Sequence, residues 1–170
     1  MSEMTLRGER VTMRPLIEAD LPSLLEILHQ PGVAEWWPGY DMARLRGDTL
    51  DDPNSTSLAV ELRGAFVGLM IFTEVKDAYY KSAGLDIALD ITCVGQGLGA
   101  DTLRTVARYL FEERGHHRLT IDPSLANERA IRAYERVGFK RIGVGREYEK
   151  GADGTFHDNL LMDMLAGELR

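Results

Sequence analysis

Leu85-Asp86-Ile87-Ala88-Leu89-Asp90-Ile91-Thr92-Cys93-Val94-Gly95-Gln96-Gly97-Leu98-Gly99 is the stretch whose reading decides the fold. Its first seven residues alternate in hydropathy, which predicts a strand with Asp86, Ala88 and Asp90 on one face. Three glycines at alternate positions follow, and then Leu103, Val106, Ala107, Leu110 and Phe111 recur at helical spacing up to Gly115. His117 to Ile121 reads as a short strand. A strand, a long amphipathic helix and a second strand require a parallel pair joined by a right-handed crossover.

Working outward, Leu58, Val60 and Leu62 alternate with Ala59 and Glu61. Arg63-Gly64 then turns the chain into the apolar run Ala65 to Phe72, which makes a hairpin. Upstream, Arg10 to Arg14 predicts a strand and Pro15 a turn. Asp20 is placed to cap a helix with Leu21, Leu24, Leu25 and Leu28 on its apolar stripe, stopped by Pro31-Gly32. Val33 to Leu50 reads as an irregular helical segment broken at Pro38-Gly39. Downstream, Asn127 to Val137 is a helix closed by Gly138, and Phe139 to Tyr148 pairs with Phe156 to Leu165 in a last hairpin around Gly151-Ala152-Asp153-Gly154. Hairpins on both sides of one parallel crossover predict an α/β protein with a mixed, mostly antiparallel sheet and helices on both faces.

At 170 residues the chain has the size of one domain, expected to span residues 1–170. No stretch approaches the roughly 18 apolar residues of a membrane span, and Met1 to Arg10 carry no apolar leader, so the expected address is the cytoplasm. The single Cys93 excludes an internal disulfide and a Cys-rich zinc cluster. With 27 acidic against 20 basic side chains the formal net charge is −7, which disfavours nucleic acid and suits a small cationic partner.

A glycine loop between a strand and a helix start brings unpaired N–H groups and the positive helix end to one point, a natural anion site. Gly95-x-Gly97-x-x-Ala100 also satisfies the dinucleotide fingerprint, but antiparallel strands precede it and too little chain follows for a dinucleotide-binding sheet. The P-loop pattern is absent.

Val94-Gly95-Gln96-Gly97-Leu98-Gly99 resembles the acyl-CoA motif of the GNAT superfamily, in which a basic or Gln residue, two variable residues, Gly, one residue and Gly or Ala follow one another; Val94 departs from it at the first place. Within that superfamily, four features resemble the aminoglycoside 6′-N-acetyltransferases: Asp122-Pro123-Ser124 with Asn127, the run Arg129-Ala130-Ile131-Arg132 with Tyr134-Glu135 and Gly138-Phe139, Val33-Ala34-Glu35-Trp36-Trp37, and the strand that carries Asp86. Acyltransferases for hydroxylysine-type siderophore precursors are similar too.

The resemblance implies a GNAT fold with one splayed parallel strand pair, acetyl-CoA as co-substrate, no metal, and direct transfer of the acyl group to an amine. It implies that the backbone of Ile87, Ala88 and Leu89 holds the pantetheine arm. The loop Val94, Gly95, Gln96, Gly97, Leu98, Gly99 and Ala100 would hold the pyrophosphate, helped by Arg104. Asn127, Ala130 and Tyr134 would line the cofactor channel, with Tyr134 the proton donor to the departing thiolate. Asp86 is the expected base beside the acceptor amine, with Asp122 near it. Glu35, Trp36, Trp37, Tyr79 and Tyr80 are expected to wall the acceptor site, because aromatic residues in irregular segments pack or bind something. A CoA-binding module without turnover is the reading from another class. A monomer or homodimer is expected. Cys93, His116, His117 and His157 have no patterned catalytic or metal-ligating partners and read as packing or surface residues.

Overall fold

The computed structural model describes residues 4–170. Its strands are β1 (Leu6–Arg7), β2 (Val11–Pro15), β3 (Ser55–Leu62), β4 (Ala65–Val75), β5 (Ser82–Leu89), β6 (Arg118–Ile121), β7 (Lys140–Lys150) and β8 (Phe156–Leu165). They form one open sheet in the order β1-β2-β3-β4-β5-β6-β8-β7. All neighbours are antiparallel except β5 and β6. The helices are α1 (Leu21–Leu28), α2 (Met42–Thr49), α3 (Leu98–Glu112) and α4 (Glu128–Val137).

Strand alternation divides the core between the two faces. Leu58, Val60, Met70, Phe72 and Leu85 bury against α3 and its neighbours, while Ala59, Leu69, Ile71 and Ala88 bury against α1 and α2. The central strands are therefore covered on both sides, as a sheet with a parallel crossover requires. Helix α3 is that crossover, and Leu98, Leu103, Val106 and Leu110 on its inner stripe are fully buried.

Several local expectations are corrected. A short β1 precedes the first expected strand and pairs with β2. Asp20 does not cap α1 through its side chain. Its carboxylate instead takes two bonds from Arg14 (2.7 and 2.9 Å) and one from the Ile17 N–H (3.0 Å), which fastens the β2–α1 connection. Asp90 does not continue β5: it caps a 3-10 turn, Ile91–Cys93, accepting from the Thr92 N–H. Asn127 is likewise the cap of α4 rather than its first residue. Asp101, in the first turn of α3, accepts the N–H groups of Glu9, Arg10 and Val11 at 2.8–3.0 Å, so the β1–β2 turn is fixed to the start of the crossover helix. Among the described residues no helix is long and apolar enough to cross a membrane.

Candidate active site

Strands β5 and β6 are paired only at Ala83–Leu119 and Gly84–Thr120. Beyond Gly84 they part, and the edge of β5 from Leu85 to Leu89 keeps its bonds to β4 but has no ladder partner on the β6 side. Backbone N–H and C=O groups left unpaired in a cleft need a bonding partner from outside the chain. Two adjoining cavities open along this gap, of about 540 and 180 Å³, and they share Trp36, Trp37, Ile87, Asn127 and Tyr134.

The larger cavity runs from the gap to the start of α3. Gly95 (φ 82°) and Gly97 (φ 78°) adopt left-handed backbone there, and a Cβ on either would meet nothing within 4 Å. Glycine is thus needed for conformation, and the space it leaves is open. No side chain caps α3, and its first backbone bond runs from the Asp101 N–H to the Gly97 carbonyl. The N–H groups of Leu98, Gly99 and Ala100 precede that bond, so they are free donors at a positive helix end.

Of the residues expected for the cofactor, Ile87, Ala88, Leu89, Val94, Gly95, Gly97, Gly99, Ala100, Asn127, Ala130 and Tyr134 line this cavity. Gln96 and Leu98 do not. The Gln96 side-chain NH₂ folds back to donate to the Thr92 carbonyl (2.7 Å) and the Gln96 backbone carbonyl accepts from Arg10 (2.6 Å), while the Leu98 side chain, at the start of α3, is buried in the core. Asn127 spends its Oδ1 on the Ala130 N–H (3.3 Å), which leaves its NH₂ group for the cavity. Arg104 lines the wall, as do Arg129 and Arg136, which sequence reasoning passed over. Their signal was available: positions 129, 133 and 136 fall on one face of α4, beside the glycine loop.

Asp86, Asp122, Trp36 and Trp37 meet in the smaller cavity, joined by Glu149. Water reaches Asp86 through the mouth of the cleft, but protein crowds its other sides. Loss of hydration, followed by the charges of Asp122 and Glu149, pushes its carboxyl up to about 7. Burial also raises Asp122, against hydrogen bonds from Asn159 and Tyr148, and it raises Glu149 with help from Asp122. Tyr134 stands between the cavities, its ring edge-on to Phe139 at 6.3 Å. Burial, then Asp86 and Asp122, hold its phenol well above the ordinary range, so it keeps its proton at neutral pH.

Glu149 carries no sequence signal. The β7–β8 register slips between Gly145–Asn159 and Glu149–His157, a bulge with Glu147 at φ 48°, and this aims Glu149 at the cleft. Three expected acceptor residues are not brought to the site. Glu35 is exposed and lines neither cavity. Tyr79 and Tyr80 are 92% and 77% exposed on the β4–β5 turn, at the paired end of β5 and thus opposite the gap. Cys93 is buried with its thiol pushed up by burial, unsuited to nucleophilic attack. His116 is buried against Glu74 (2.8 Å). Among the described residues no group of three or more His, Cys, Asp or Glu is arranged to hold a metal ion. A further hollow of about 520 Å³ lies apart, between Gly138–Arg141 and Gly167–Arg170, and its charged rim is paired internally as Lys140–Glu168 and Arg141–Glu135.

Residues 10–140 match the acetyltransferase (GNAT) domain. The chain belongs to the GNAT acetyltransferases. Members of this family use acetyl-CoA, and the larger cavity fits that molecule: free amides at a helix start, open space over two glycines and three arginines suit a pyrophosphate and a further phosphate. This GNAT chain is 28% identical over 161 residues to the aminoglycoside N(6′)-acetyltransferase type 1 of Klebsiella pneumoniae, covering 84% of this chain and 80% of that one. It superposes on the structure of AAC(6′)-Ib in complex with paromomycin and acetyl-CoA with a TM-score of 0.75 at 27% identity, over 94% and 97% of the two chains. The crystal structure of a putative acetyltransferase shares the fold at a TM-score of 0.84 and 24% identity, over 99% of this chain and 90% of the other.

Proposed function

We propose that this acetyltransferase moves the acetyl group of acetyl-CoA directly onto a primary amine of a small polycation, and that the acceptor is an aminoglycoside modified at its 6′-amine. The observation that carries the reading is the convergence of Asp86, Asp122 and Glu149 with Trp36 and Trp37 in a cavity that adjoins the cofactor cavity at Tyr134. Carboxylates answer the ammonium groups of such an acceptor, and indole faces answer the C–H faces of its rings. The aminoglycoside acetyltransferases to which the chain is similar support the choice of acceptor.

The acceptor arrives as an ammonium ion and must lose a proton before it can attack. Asp86 takes that proton: a carboxyl poised at about 7 is an effective base at neutral pH, far better than one near 4. The unpaired N–H groups along β5 donate to the thioester carbonyl and to the pantetheine amides. The free amine then attacks the thioester carbon, forming the C–N bond, and the C–S bond breaks; Tyr134, protonated at neutral pH and lining both cavities, donates its proton to the departing sulfur and regains one from the acylated nitrogen. Bound acetyl-CoA supplies the activated acyl group, and the chain supplies orientation and proton traffic.

The test is release of free CoA thiol with kanamycin-type aminoglycosides beside simple monoamines, with the product's acetylation site read by NMR. Turnover at the 6′-amine at a kcat/KM well above that of the monoamines is expected. Turnover confined to a different amine class reassigns the acceptor, and acetyl-CoA binding without transfer to any amine overturns the catalytic reading.

A further inference from the structure

Gln30 follows the end of α1 and meets the chain where it leaves β5. Its side-chain carbonyl accepts the N–H of Ile91 (2.9 Å), and its NH₂ group donates to Asp90 Oδ2 (3.0 Å). Those two partners fix the amide's orientation, since only the carbonyl end accepts and only the NH₂ end donates. The other carboxylate oxygen of Asp90 accepts from the Thr92 N–H and hydroxyl (2.8 and 2.6 Å), and the Asp90 N–H donates to the Val67 carbonyl (2.8 Å). Next to Gln30, Gly32 leaves room for Ile91, whose Cδ1 would stand 2.8 Å from a Cβ there. The turn that aims the chain from β5 toward the glycine loop is therefore gripped by the Gln30 side chain, from just beyond the end of α1.

We infer that Gln30 is a positioning residue for the cofactor: it holds the Asp90-Ile91 turn so that the loop amides already face the pyrophosphate before CoA arrives. The inference rests on the reading of that loop as the CoA site. Without Gln30 the Ile91 N–H and one oxygen of Asp90 lose their partners, the turn gains alternative conformations, and CoA must order it on binding.

Reversing the polarity of the contact tests this. Gln30→Glu still accepts from Ile91 but sets a second carboxylate against Asp90. Asp90→Asn still accepts from Thr92 but presents an NH₂ group to the NH₂ group of Gln30. In the double variant the side-chain amide at position 90 keeps its carbonyl for Thr92 and donates its NH₂ group to the new carboxylate at position 30. Every bond is thereby restored, one of them in the opposite direction, at unchanged net charge. Calorimetric titration with CoA is expected to show about tenfold weaker binding for each single variant and a return to within about twofold of the parent in the double. At saturating acetyl-CoA, kcat and the amine KM are expected to stay near parental values in all three, a split that a merely structural defect does not produce.

Folded single variants that bind CoA like the parent overturn the inference. So does a double variant that regains thermal stability without regaining CoA affinity, and that comparison remains decisive if a single variant fails to fold. A parent chain that binds no CoA takes down the reading of the loop and this inference together, whereas parental CoA binding with unaffected variants removes only the role of Gln30.

Discussion

Asp86 is costly to the fold, and its proposed role as the base draws on that same burial. In the folded chain its carboxyl keeps a proton up to about 7, while unfolded it releases it near the ordinary 3.8. Between those values the folded state binds more protons, so the contribution of Asp86 to stability falls as pH rises and is at its worst above 7. Asp86→Asn removes the charge and keeps the shape. It is expected to raise the melting temperature, by more at pH 8 than at pH 5, with water at the cleft mouth moderating the size of the effect. The same substitution is expected to lower kcat/KM for the amine by about 100-fold or more and to abolish an ascending limb centred near 7 in the pH–rate profile. An unchanged limb in the variant assigns the proton to another group. Tyr134→Phe isolates the other proton: the ring and its contact with Phe139 stay, the hydroxyl goes, and kcat is expected to fall about tenfold or more while CoA affinity holds.

The glycine loop works through backbone shape, and Gly97 separates that from packing. A Cβ there meets nothing within 4 Å, yet φ is 78°. Gly97→Ala is therefore expected to cost about 1–2 kcal/mol of conformational strain without any core defect, and to weaken CoA binding measurably in a titration. If CoA affinity is unchanged, the left-handed turn has no part in holding the pyrophosphate. This loop was legible from sequence because its signal is local: alternation, three glycines and a 3.6-residue period leave one arrangement of strand, turn and helix. The crossover and the sheet class followed from the same evidence. What stayed hidden depends on registers and side-chain partners. Glu149 enters the site through a bulge in a hairpin whose sequence alternates no differently there, and the Gln96 side chain leaves it because its NH₂ group donates to the Thr92 carbonyl. Tyr79 and Tyr80 were misplaced for a related reason, since an irregular segment's composition does not say which end of a strand it occupies.

At the scale of the molecule, the proposed function asks one acidic protein to take up one polyanion and one polycation. A formal net charge of −7 would attract such an amine and repel CoA, and Arg104, Arg129 and Arg136 offset the repulsion only locally, around the larger cavity. Asp86, Asp122 and Glu149 sit together in the smaller cavity, so acidic groups are concentrated where the proposed acceptor amine docks. The two substrates should consequently respond differently to salt. Raising ionic strength shortens the screening length from about 10 Å at 0.1 M to about 3 Å at 1 M. For the polycationic amine both the long-range attraction and the local contacts weaken, and kcat/KM is expected to fall steeply. For acetyl-CoA the global repulsion and the local attraction are screened together, and kcat/KM is expected to change much less. Glu149→Gln removes one charge from the acceptor cavity without removing Asp86. It is expected to raise the amine KM and to make its salt dependence shallower, leaving the acetyl-CoA profile in place. Equal salt slopes for the two substrates, or a Glu149→Gln variant with the parental amine slope, mean that the three carboxylates do not act together on the acceptor.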